Sequence, residues 1–127
     1  MKKTRMTIFV LMIILIVVII VILVACKNTQ EILDFNLSDY QLEIESFPYG
    51  ENVGIVKDSN DAKNKAEEIW IKLYGESVKK EKPYQVFYDK QNDVWLIKGI
   101  QKAKVKGGVA HILIETDGKV LAVWHDK

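Results

Sequence analysis

The chain has 127 residues, 49% of them hydrophobic, and a formal net charge of +1, but these averages join two different objects. Met1 to Cys26 holds 21 of the hydrophobic residues and only Lys2, Lys3 and Arg5 as charges, so the other 101 residues carry 15 Lys against 17 acids, a net of −2. That balance lacks the basic field a nucleic-acid-binding domain needs, and about a hundred residues make one small domain and exclude a multi-domain enzyme.

Lys2-Lys3-Thr4-Arg5 is a cationic head, and Met6 to Ala25 comes next with no charge and with Thr7 as its single residue outside the hydrophobic class. A helix of about 20 residues rises about 30 Å, the hydrocarbon thickness of a bilayer. Basic residues ahead of such a run stay in the cytoplasm, so the chain beyond the run is exported. Leu23-Val24-Ala25-Cys26 resembles the bacterial lipoprotein lipobox. That resemblance implies diacylglycerol on the Cys26 thiol, cleavage just before it, and a mature chain held to the membrane by its acyl chains. The alternative is an uncleaved helical anchor, because the run exceeds the usual signal-peptide core of about 7 to 15 residues. Residues 1–25 are therefore signal peptide or anchor, and the domain is expected on the extracytoplasmic side of the membrane. Cys26 is the only cysteine, so no internal disulfide braces the exported part.

From residue 26 to residue 52 isolated apolar residues sit among scattered acids. This stretch is expected to be a lipid-anchored tether, with one short strand where Tyr40, Leu42 and Ile44 alternate with Gln41, Glu43 and Glu45. The compact domain is expected over residues 53–127. Asp58-Ser59-Asn60-Asp61 supplies helix N-caps, and Ala62, Ala66, Ile69, Trp70, Leu73 and Tyr74 make one apolar stripe that Gly75 ends. Four strands come after the helix: Tyr84 to Tyr88, Val94 to Ile100, Val109 to Glu115 and Val120 to His125. Asp89 to Asp93 turns between the first two, a basic loop over Gln101 to Lys106 lies between the second and third, and Asp117-Gly118 closes the last hairpin. The fold class is α+β: one amphipathic helix on a four-stranded antiparallel meander.

Period two places Tyr84, Val86, Tyr88, Trp95, Ile97, Ala110, Ile112 and Ile114 against the helix. The opposite face then holds Leu96, Lys98, Ile100, His111, Leu113 and Glu115. Apolar side chains rimmed by charge are the make-up of a recognition surface, so these six are the candidate partner-binding residues; a homodimer contact has the same make-up. No catalytic constellation is legible. His111 and His125 have no metal-site spacing, adjacent Glu67 and Glu68 point apart on a helix, and Gly107-Gly108 opens a strand rather than a helix, unlike a phosphate loop. The sequence calls for no cofactor and no metal, and favours a binding module.

Ala66-Glu67-Glu68-Ile69-Trp70-Ile71-Lys72-Leu73-Tyr74-Gly75, Glu81-Lys82-Pro83-Tyr84, Val94-Trp95-Leu96-Ile97-Lys98-Gly99, Gly107-Gly108-Val109, Asp117-Gly118-Lys119-Val120-Leu121 and the terminal Trp124-His125-Asp126-Lys127 together resemble a family of bacterial polymorphic-toxin immunity proteins with a nuclear transport factor 2-like fold. The resemblance runs from about Val53 to Lys127. It implies a small domain of nuclear transport factor 2-like or cystatin-like type, in a non-enzymatic protein that binds and neutralises a cognate toxin. The helix and Asp-Gly-Lys-Val-Leu hairpin also resemble the PepSY domain, a module that restrains exported peptidases. A carrier of a small apolar ligand is a third reading, which requires a cavity between helix and sheet.

Overall fold

The computed structural model describes residues 2–27, 30–102 and 107–126, and the chain forms two compact units, divided after Glu31. The first contains one unbroken helix, α1 (Lys2–Lys27). Its stretch Lys2–Val24 is long and apolar enough to cross a membrane, with none of it buried. Thr7 donates its hydroxyl to the Lys3 carbonyl at 2.7 Å, satisfying the run's one polar side chain inside the helix. A helix apolar on every side requires lipid or other protein around it. Cys26 falls within the α1 backbone, but its side chain lies outside the described residues.

The second unit starts at Ile32 rather than Val53, because the segment read as a tether is folded. Ile32–Asp34 forms β1, Leu37–Tyr40 is a 3-10 turn and Gln41–Ser46 is α2. Asn36 caps the turn by accepting from the Ser38 amide at 3.1 Å. The expected strand at Tyr40 to Ile44 is thus helical, and its alternation is explained by helical spacing. Tyr40 and Ile44, four apart, share one face and pack inward, whereas Leu42 between them is 70% exposed.

Helix α3 (Ser59–Tyr74) starts where Asp58 accepts from the Asp61 amide and ends at Gly75, whose φ of 86° suits a residue without Cβ. Its buried stripe is Ala62, Ala66, Ile69 and Trp70. Leu73 and Tyr74, expected to continue the stripe, are substantially exposed. A second 3-10 stretch (Glu76–Glu81) leads to β2 (Gln85–Asp89), β3 (Val94–Lys98), β4 (Ala110–Glu115) and β5 (Val120–His125). The sheet has five strands in the order β1-β2-β3-β4-β5, with β1 parallel to β2 and the other pairs antiparallel. The expected meander is β2 to β5, and β1 is the addition. Three residues are too few to show a period.

The near face of the sheet packs on α3 through Tyr84, Val86, Trp95, Ile97, Ala110, Ile112 and Ile114, with Tyr88 partly buried beside them, as alternation requires. Trp70 is fully buried; its ring meets Tyr84 edge-on at 5.1 Å and its Nε1 donates to the His111 carbonyl at 3.3 Å. A bulge between Leu113 and Ile114 on the β4–β5 ladder skips Leu121, so Val120 and Val123 join the near face while Ala122 and Trp124 join the far one. Residues 47–56 run along the outer edge of β5. Val123 and Val120 donate to Phe47 and Glu51, and Val53 and Val56 donate to Gly118 and Thr116, which satisfies an edge that would otherwise be open.

Candidate partner-binding surfaces

The six residues expected to form one exposed patch do not do so. Leu96 and Leu113 are fully buried, in a second core with Val94, Ala122 and Trp124 that Phe35, Leu37, Tyr40 and Ile44 cover. The cover escaped the sequence reading because its apolar residues run through a strand, a 3-10 turn and a short helix with no single period. Lys98 is half-buried, its ammonium 5.1 Å from the Phe87 ring centre and 5.7 Å from that of Tyr40, so it roofs the aromatic side of this core. Glu115 is half-buried at the hairpin, and burial, then Asp117, pushes its carboxyl up. Ile100 has left the strand and donates its amide to the Glu81 carbonyl at 2.8 Å.

His111 is buried with its ring 4.8 Å from Trp124. Its Nε2 lies 3.0 Å from Asp126 Oδ2, and its Nδ1 is buried with no hydrogen-bond partner among the described residues. The neutral ring that donates from Nε2 fits this site. A protonated ring would bury a second N–H with no acceptor, and burial accordingly lowers His111 to about 4, with Lys98 and His125 acting in the same direction and Asp126 opposing.

Asp89 anchors the cover and was read from the sequence only as part of a polar turn. It is buried and accepts from the Asn92 side chain, the Leu37 amide at 2.8 Å and the Gln91 and Asn92 amides. Asn92 first, then those amides, hold its carboxyl below the usual range against the effect of burial.

Among the described residues two surfaces bear on partner binding, while Ile32, Leu33 and Ile55 are exposed elsewhere. On the outside of the cover, Leu42 and Phe47 are exposed, Phe47 stacked 6.5 Å from Trp124. At the other end of the β3 and β4 strands, a cleft of about 300 Å³ opens between the second 3-10 stretch and residues 100–102 and 107–109, with Lys80, Ile100, Lys102, Val109 and His125 on its walls. Tyr74 sits at its shoulder, 5.3 Å from His125. The basic loop noted in the sequence contributes Lys102; residues 103–106 of that loop lie outside the described residues. Among the described residues no group of three or more His, Cys, Asp and Glu side chains is placed to hold a metal.

The layer between α3 and the sheet, where a carrier needs its cavity, is filled by Ile69, Trp70, Val86, Ile97 and Ile112, each at most 2% exposed. Among the described residues this layer is a packed core. The model of the family described as NTF2 fold immunity protein matches residues 61–127, from the first turn of α3 to the end of the chain. The chain belongs to that family. Among curated proteins and among solved structures, nothing matches it. The matched region contains α3, β2 to β5 and the cleft, whereas β1 and the cover over Leu96 and Leu113 precede it. The NTF2 fold of this immunity protein therefore carries its far-face lid as an N-terminal addition to the matched region.

Proposed function

We propose that this protein is a membrane-tethered immunity protein that binds a cognate exported toxin and neutralises it by binding rather than by catalysis. The observation that carries the reading is the family match over residues 61–127, and the filled helix-to-sheet layer is what a protein binder needs. The tether is α1 itself or an acylated Cys26; either one is consistent with the cationic head and the apolar run. A soluble inhibitor outside the cell diffuses away, whereas a tethered one stays concentrated at the surface an incoming toxin must cross.

The test is to express the full chain in a sensitive host with the toxin encoded by the neighbouring gene, and to analyse its mature N-terminus by mass spectrometry. Protection by the wild type is expected, together with a diacylated N-terminus at Cys26 that Cys26→Ser abolishes. Failure to protect removes the immunity reading. A retained leader without lipid identifies the uncleaved anchor and leaves the immunity reading in place.

A further inference from the structure

The cleft at the β3–β4 end combines recessed apolar walls with two lysines that make no ion pair among the described residues. The 3-10 stretch is stitched to the sheet by Glu81, whose carbonyl accepts from Ile100 and whose Oε1 accepts from the Ala110 amide at 2.7 Å. Its other carboxylate oxygen lies 3.7 Å from His125 Nε2, so the one acid in the walls is already engaged. Opposite, Gly108 packs so closely on Asp126 that a Cβ there would collide with it. On the same side of the cleft Gln101 donates its side-chain amide to the Gly107 carbonyl at 2.7 Å.

The lysines around this end divide into two kinds. Lys79 pairs with Glu76 at 2.7 Å and Lys82 with Glu67 at 2.8 Å. Lys80 and Lys102, which line the cleft, make no ion pair among the described residues. These two cations flank Ile100 and Val109 on a domain whose net charge is −2. Charge complementarity then specifies an occupant with carboxylates spaced about an apolar side chain. A flat anionic bilayer presents charge but does not enter a recess, and an isolated phosphate makes no use of the apolar walls.

Resting on the immunity reading, we infer that this cleft receives an acidic segment of the toxin, its carboxylates paired with Lys80 and Lys102 and an apolar side chain set against Ile100 and Val109. Tyr74 at the shoulder supplies the rigid aromatic contact common at the centre of such interfaces.

The experiment uses the full chain in phosphatidylcholine nanodiscs and, as probe, a catalytically dead form of the toxin domain encoded by the neighbouring gene. The Lys80→Glu/Lys102→Glu variant is expected to bind it about a hundredfold more weakly while melting like the wild type, and to lose the wild type's weakening in high salt. Lys90→Glu/Lys119→Glu, at the opposite end of the sheet, is expected to bind unchanged. Recovery of binding when one acid of the toxin is changed to Lys would locate the segment. Equal binding by the cleft variant and the wild type overturns the inference and leaves the immunity reading standing; a wild type that neither binds nor protects removes both. A variant that releases phosphatidylglycerol vesicles but still binds toxin assigns the cleft to lipid and also overturns the inference.

Discussion

His111 makes the stability of the domain depend on pH in a window set by its site. The ring is neutral because burial lowers it from 6.5 to about 4, Lys98 and His125 adding to that and Asp126 opposing. Between those two values the unfolded chain binds a proton that the folded chain does not, so stability falls as pH falls through the window and is complete above about 6.5. For these values, moving from pH 7 to pH 5 removes about 2 kcal/mol, a substantial part of the roughly 5 to 15 kcal/mol available to a small domain. Urea unfolding of the full chain in detergent micelles, monitored by tryptophan fluorescence, measures this. Trp70, Trp95 and Trp124 all lie in the second unit, so α1 contributes no signal. The reference is His111→Gln, which keeps a donor for Asp126 and cannot be protonated. The wild type is expected to lose about 2 kcal/mol more than the variant between the two pH values. Parallel pH profiles for the two proteins would refute the reasoning, and a wild type stabilised by acid would mean that the Asp126 ion pair outweighs burial.

The cover makes a second prediction. A chain starting at Val53 exposes Leu96, Leu113 and Trp124, each worth about 1.5 to 3 kcal/mol of burial, and is expected to show no cooperative unfolding, whereas a chain starting at Ile32 unfolds in one transition by calorimetry; cooperative melting of the shorter chain would show the cover to be dispensable. Trp70→Ala removes the largest fully buried side chain and is expected to cost about 3 to 5 kcal/mol in urea titration, and a loss below about 1 kcal/mol would mean that the α3 layer closes over the gap.

Local regularities made much of this protein legible from its residues. The apolar run of α1 follows from its composition, and α3 is dictated by its capping acids and apolar stripe. Strands β2 to β5 are dictated by period-two alternation between turn residues, which also placed Trp95, Ile97, Ile112 and Ile114 correctly against the helix. Alternation gives two faces but does not say whether the second is wet. Leu96 and Leu113 read as an exposed patch because their cover, Phe35 to Ile44, obeys no single period and is fixed by contacts far along the chain, such as the Leu37 amide on Asp89. The β5 bulge likewise sent Val120 and Trp124 to opposite faces, a shift of register that comes from strand pairing rather than from the strand's own residues. The cleft belongs to the same class. Lys80 and Lys102 are distant in sequence, and only the folding of the 3-10 stretch against the end of the sheet brings them to one opening. Short-range chemistry determined the elements and their inner faces; long-range packing decided which outer surfaces remained free, because covering a face depends on partners that local pattern cannot name.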